Sequence, residues 1–209
     1  MPFNIAIIDY EMGNLKSIYK LFRYLEIESV ITSDPKKIRD ADGIILPGVG
    51  AFGDAMKQLN KKNLVKIIKD IINDKKPLFG ICLGLHLLFS KSSEMGTHGG
   101  LDLIKGEVIS FDKTMVNKIP QIGWNNVQII DDNHFLVKEI PNNAFFYFVH
   151  SFYAIPKEKE RILGKTNYGE IEYCSIVCKD NIVATQFHPE KSSKYGIKMY
   201  QNFIHYCRK

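Results

Sequence analysis

Apolar and polar positions along the first half of the chain repeat in the order strand, turn, helix. Residues 3–9 form a short, Ile-rich run that ends at a turn, and residues 15–25 then carry Leu15, Ile18, Tyr19, Phe22 and Leu25 at helical spacing. A second strand is predicted over 29–32. Asp34-Pro35 reads as a cap followed by proline at the first helical position, and Gly43–Leu46 is a third apolar run. The βαβαβ order continues with Leu64, Val65, Ile67, Ile68, Ile71 and Ile72, interleaved with Lys66, Lys69, Asp70 and Asp74: an amphipathic helix with a broad apolar face that packs on a sheet. Leu78–Ile81 predicts a buried strand running straight into Cys82, with helical character resuming over 83–90.

Between 105 and 183 the texture changes to short strand-like runs split by turn residues, at 127–130, 144–149, 161–166, 171–177 and 182–187. Residues 192–206 carry Tyr195, Met199, Phe203 and Tyr206 at near-helical intervals and close the chain with a helix. The pattern predicts an α/β fold in one domain over 1–209, with a mostly parallel central sheet, flanking helices and a β-rich C-terminal half. There is no internal repeat or linker. Ligands of parallel α/β sheets sit at the carboxyl ends of the strands, so the strand-end loops are where chemistry is expected.

Composition narrows the class. With 209 residues, 45% hydrophobic and 24% charged, the chain can bury a sizeable core. The longest apolar stretch, 78–89, is interrupted by Gly80, Gly84 and His86 and falls short of the roughly 18 residues of a membrane span, so a soluble protein without membrane contact is expected. The first residues lack a basic segment ahead of their short apolar run, so a cytoplasmic location is expected. Cys82, Cys174, Cys178 and Cys207 are too sparse for a disulfide framework and are expected as free thiols. The net charge of +5 comes from scattered lysines without a basic run or an aromatic–basic pattern, which argues against nucleic acid binding.

The sharpest local feature is Gly80-Ile81-Cys82-Leu83-Gly84, a strand-to-helix turn with a nucleophile between two glycines. Such an elbow needs small neighbours, because a tight turn that pushes the nucleophile out of the sheet leaves no room for side chains. The amides of the following helix favour a thiolate, and the N–H of Leu83 is suited to an oxyanion. A buried structural cysteine beside two packing glycines is the plainer reading. A thiolate nucleophile benefits from an oriented base, and Gln186-Phe187-His188-Pro189-Glu190 offers one: proline fixes the backbone after His188, and Glu190 can turn back to the imidazole. A surface histidine paired with Glu190 is the alternative.

The loop Leu46-Pro47-Gly48-Val49-Gly50-Ala51-Phe52-Gly53 follows the third strand, on the elbow's sheet edge if the sheet is parallel, and its amides can line an anionic site. An ordinary glycine-rich turn explains it equally, and no nucleotide-phosphate motif is present. Cys174 and Cys178 are expected to face one way on a strand as core residues, and no metal is assigned. Asp131-Asp132-Asn133-His134 reads as a loop and helix cap, His98 as a turn histidine, His205 as a residue of the last helix, and Trp124 taken alone as a core aromatic.

Six motifs in this order resemble the triad-type glutamine amidotransferases, and more closely their branch of glutaminase subunits of imidazole glycerol phosphate synthases. They are Ile8-Asp9-Tyr10 with Met12-Gly13-Asn14-Leu15, Pro47-Gly48-Val49-Gly50-Ala51-Phe52, Gly80-Ile81-Cys82-Leu83-Gly84, Ile122-Gly123-Trp124-Asn125, Tyr147-Phe148-Val149-His150-Ser151, and Gln186-Phe187-His188-Pro189-Glu190-Lys191-Ser192. The resemblance spans nearly the whole chain. It implies that Cys82 attacks the side-chain amide of glutamine, that His188 moves protons and Glu190 orients it, and that Val49, Gly50 and Leu83 serve the oxyanion. It places Gly48, Gly50, His86, Ser151 and Phe152 against the substrate, and Asn14 and Trp124 at a partner interface.

The partner implied is a (β/α)₈-barrel cyclase subunit in a heterodimer. It receives the ammonia and makes imidazole glycerol phosphate and aminoimidazole carboxamide ribonucleotide in histidine biosynthesis. No cofactor is implied. Two positions depart from the family pattern: His86 stands where glutamine is usual, and Glu11 where glycine is common. A paralogous subunit feeding a surface-sugar pathway, a related cysteine hydrolase and a catalytically silent binding subunit are the competing readings.

Overall fold

The computed structural model describes residues 3–209; Met1 and Pro2, where the N-terminal reading begins, lie outside the described residues. The first half contains strands β1 (Asn4–Ile8), β2 (Glu28–Thr32), β3 (Gly43–Leu46) and β4 (Leu78–Ile81) with helices α1 (Leu15–Tyr24), α2 (Pro35–Asp40), α3 (Phe52–Lys61), α4 (Leu64–Asn73) and the short α5 (Leu83–Leu87). The second half is strand-rich: β5 (Phe89–Ser92), β6 (His98–Gly99), β7 (Ile104–Ser110), β8 (Gln121–Ile129), β9 (Ala144–His150), β10 (Phe152–Pro156), β11 (Ile162–Tyr168), β12 (Ile171–Lys179) and β13 (Ile182–Thr185). Helix α6 (Ser193–Cys207) closes the chain.

Strands run β2-β1-β3-β4-β13 in parallel pairings, and antiparallel β12, β10 and β7 extend the sheet. Side chains alternate across β1 as the pleat requires. Ala6 and Ile8 join one core with Ile38 of α2, Leu59 of α3 and Ile68 of α4. Ile5 and Ile7 join the other with Phe22 of α1 and Phe203 of α6. Helices cover both faces, which is why these strands read as unbroken apolar runs. Asp34 caps α2 through the amide of Lys36 (2.8 Å), with Pro35 at its first position. Among the described residues no helix is long and apolar enough to cross a membrane, and all four cysteines are free thiols.

The structure corrects several expectations. Helical character after Cys82 stops at Leu87 rather than continuing to 90, because Phe89 enters β5 and pairs in parallel with β7. Helix α3, with Phe52, Ala55, Met56 and Leu59 buried, follows the glycine-rich loop directly and was not expected, nor were β7 and β10. His98 belongs to the two-residue β6, paired to Ser92, rather than to a turn. Cys174 and Cys178 do not face one way: a register irregularity against β11 lies between them, so Cys174 packs in one core and Cys178 against the other. Trp124 is not a core aromatic; it is 52% exposed on β8.

Candidate active site

Parallel pairing fixes the site. Ile81 at the end of β4 stands in register with Thr185 at the end of β13, and Leu46 of β3 with Gly80. Three loops therefore leave the sheet side by side: the glycine-rich loop after β3, the elbow after β4, and the segment carrying His188 after β13. Cys82 makes the elbow with φ 54° and ψ −109°, a left-handed conformation that a non-glycine residue holds only where the surroundings enforce it. A β-carbon on Gly84 would collide with the carbonyl oxygen of Leu46, so only glycine lets α5 start this close to β3.

His188 lies three residues beyond β13, and its backbone is pinned to β9. Its amide donates to Tyr147 O (2.9 Å), and its carbonyl accepts from Ser192 Oγ (2.6 Å), which itself accepts from the Tyr147 amide (3.0 Å). Nδ1 pairs with Glu190 Oε1 at 2.7 Å, both side chains almost wholly buried. Burial alone would lower the imidazole pKa, but the facing Cys82 sulfur and the Glu190 carboxylate overcome it and push His188 up to about 10. The Cys82 thiol donates to Val149 O (3.9 Å), and Nε2 of His188 is buried with no hydrogen-bond partner of its own.

Cys82 and His188 line one cavity of about 280 Å³ with Val49, Gly50, Leu83, His86, Glu94, Val149, His150, Ser151 and Phe152. That lies at the low end of small-molecule sites, which run roughly 300–1,000 Å³. Leu83 lines the cavity as the first residue of α5, so its N–H has no intrahelical acceptor. Gly48 stands behind the wall, packed where a β-carbon would strike the Tyr10 hydroxyl, which donates to Pro47 O (2.6 Å). Burial, and then the charge of Cys82, hold that phenol far above its ordinary range.

Three further polar side chains face the cavity. His86 Nε2 pairs with Gln186 Oε1 (2.7 Å); burial takes His86 down to about 4 against the pull of Gln186 and the Phe152 backbone, so it is neutral at physiological pH. His150 bonds Phe152 O (2.8 Å) and the Tyr173 hydroxyl (3.2 Å), and burial takes it down to about 3. Glu94, which no sequence motif marked, accepts from the amide of Phe52 through Oε2 (2.7 Å) and turns a carboxylate toward the cavity. Among the described residues no group of three or more His, Cys, Asp or Glu side chains could hold a metal ion.

The two residues expected at an interface lie at this end of the sheet. Asn14 is exposed ahead of α1, in a loop whose Gly13 and Met12 pack on Gly48 and Gly50. Trp124 shares the β8–β9 hairpin with exposed Ile122 (58%) and Phe145 (57%), and Ile122 is in register with Val149 of the cavity wall. A shallow depression of about 510 Å³ beside them is lined by Trp124, Phe145, Lys194 and Tyr195 among others. Glu11, with φ 69°, is held by an ion pair to Lys62 (3.0 Å).

The sequence and the fold are both similar to those of known proteins. A family model described as glutamine amidotransferase class-I matches residues 6–207. The chain is 49% identical over 203 residues to imidazole glycerol phosphate synthase subunit HisH 1 of Methanococcus maripaludis, covering 96% of this chain and 98% of that one. It is 44% identical to the HisH subunit of Sulfurimonas denitrificans, covering 97% and 98%. The fold is similar to that in the structure of PurLQS from Thermotoga maritima (TM-score 0.78, 16% identity, 99% of each chain). It is also similar to the glutaminase domain of Trypanosoma brucei CTPS (TM-score 0.65, 18% identity, 99% and 94%).

Proposed function

We propose a reaction and a partner for this chain from one premise: it belongs to the class-I glutamine amidotransferase family. The chain is a glutaminase subunit. The Cys82 sulfur, its proton passed to Nε2 of His188, attacks the side-chain carbonyl carbon of glutamine, and the oxyanion that develops is met by the amide of Leu83 and by the Val49–Gly50 segment across the cavity. His188 gives its Nε2 proton to the departing nitrogen, ammonia leaves, and a thioester remains. Water, activated by the now neutral His188, attacks the thioester; glutamate leaves and the sulfur is restored. Glu190 holds the imidazole in one orientation throughout.

The half-buried Glu94 carboxylate suits the α-ammonium of the amino acid, while Ser151, Phe152, Gly50 and the neutral His86 bound the rest of the substrate. Gly48 supports the loop from behind. What carries the reading is the junction of β4 and β13, which sets the thiol of Cys82 and the His188–Glu190 pair on one cavity of amino-acid size.

The ammonia passes to a (β/α)₈-barrel cyclase in a heterodimer, docked on the face that carries Trp124 and Asn14 and yielding imidazole glycerol phosphate and aminoimidazole carboxamide ribonucleotide. This rests on relatives of that name matched over nearly their whole length. The chain acts as one domain, in the cytoplasm, without a cofactor. The test uses amide-¹⁵N-glutamine with the co-purified barrel subunit and its aminated ribonucleotide acceptor. The label is expected in the imidazole product; glutamate formation with all label released as ammonium contradicts the partner, and no glutamate at all contradicts the reaction.

A further inference from the structure

Only one oxygen of Glu190 is used by His188. Oε1 accepts from Nδ1, whereas Oε2 is buried with no hydrogen-bond partner. A buried anion with half its acceptors unserved is an expensive arrangement. Tyr200 is in the complementary condition: it is wholly buried and its hydroxyl has no partner either, although buried tyrosine hydroxyls ordinarily find one.

Helix α6 brings the two groups toward each other. Gly196 packs so closely on the turn Pro189–Lys191 that a β-carbon would collide with Pro189 O. Tyr200 lies one helical turn further along the same face. Its ring is held edge-on by Phe22 (5.5 Å, 85°) and at a tilt by Phe79 (5.5 Å, 47°) of β4, the strand that leads into Cys82. Burial, and then the charge of Glu190, keep the phenol protonated well above its ordinary range, so it is a donor at every pH the protein meets.

We propose that Tyr200 is a positioning residue for this reaction: through one bridging water, its hydroxyl donates toward Oε2 of Glu190 and so holds the carboxylate in the rotation that keeps Oε1 on His188. The proposal rests on the glutaminase reading for its consequence in catalysis but not for its geometry. The donor draws charge away from the carboxylate and so moderates how strongly Glu190 holds the imidazole proton. The other ionisable groups against this pair are Cys82 at the end of β4 and His150 on β9.

The test is an NMR titration of the His188 ring in the full chain, alongside glutamine turnover with the barrel partner. Tyr200→Phe keeps the ring and removes the donor. The His188 titration is expected to rise by roughly half a unit to one unit, and kcat to fall about threefold to tenfold with KM within about twofold. In a Glu190→Gln background the same change is expected to leave the His188 titration where Glu190→Gln alone sets it. Replacing Tyr200 by 3-fluorotyrosine, a stronger donor of the same shape, is expected to move His188 the opposite way, and it serves if Tyr200→Phe does not fold. No shift in folded protein, or an equal shift in the Glu190→Gln background, overturns the proposal. A shift in a chain that releases no glutamate sinks the glutaminase reading instead and leaves this one standing.

Discussion

The amide of Cys82 donates to the carbonyl of Thr185 across 2.8 Å, one hundred and three positions later in the chain. This bond is the last rung between β4 and β13, and both chains leave the sheet immediately after it. The strain of the elbow and the position of His188 are thus set by the same parallel pairing, inside a core where every residue of both strands is buried. A site assembled this way depends on the sheet being intact, which makes its backbone contacts as testable as its side chains.

The elbow itself gives the first prediction. Because a methyl group at position 84 meets the Leu46 carbonyl, Gly84→Ala is expected to destabilise the fold by about 3 kcal/mol, in the range of overpacked core sites. Urea unfolding measures it; a change below about 0.5 kcal/mol would show that α5 moves aside freely.

His188 answers to the sulfur. Alkylating Cys82 removes the sulfur's charge from beside the imidazole, so the His188 titration is expected to fall from about 10 toward the ordinary value, while Glu190 still pairs with Nδ1. An NMR titration before and after alkylation checks this. An unmoved His188 would mean that the two side chains do not sense each other.

Stability should depend on pH from both sides. His86 and His150 are neutral when folded, with pKa values taken down to about 4 and about 3, whereas the unfolded chain takes up their protons below the ordinary value of 6.5. Their contribution is therefore lost as pH falls from 6.5 toward 4 for His86 and toward 3 for His150. His188, raised to about 10, contributes fully below 6.5 and is lost as pH rises through 10. At about 1.4 kcal/mol per unit, each contribution is on the order of 3 to 5 kcal/mol. Urea midpoints across pH should show His86→Gln flattening the acid side and His188→Asn the alkaline side; unchanged slopes would contradict the assignment.

Trp124 is exposed and supports no core, so Trp124→Ala should leave the melting temperature within a degree or two while weakening association with the proposed barrel partner by about 2 kcal/mol or more, as aromatic anchors buried on binding do. Calorimetric titration of the two subunits decides it; undiminished affinity would move the interface elsewhere.

Much of this fold is legible in the sequence where apolar runs are short and sharply bounded. Gly43–Leu46 and Leu78–Ile81 coincide with β3 and β4, and the elbow and His188-Pro189-Glu190 fall at the strand ends where chemistry was expected. Helix α3 was hidden by the glycines ahead of it, although Phe52, Ala55, Met56 and Leu59 carry the helical spacing that could have revealed it. The Cys174–Cys178 reading assumed a regular pleat, and an irregularity in pairing with β11 is a tertiary feature with no local signal. Glu94 reaches the cavity only because β5 brings its loop against the start of α3, and nothing in Ser92-Ser93-Glu94-Met95 announces it.

The central claim is that one sulfur does the chemistry. Glutamate release is measured in the complex with the proposed barrel partner and acceptor for the wild type, Cys82→Ser and Cys82→Ala. The account predicts steady release by the wild type, a loss of about a thousandfold or more in Cys82→Ser and none above background in Cys82→Ala. Release by Cys82→Ala at the wild-type rate would contradict it.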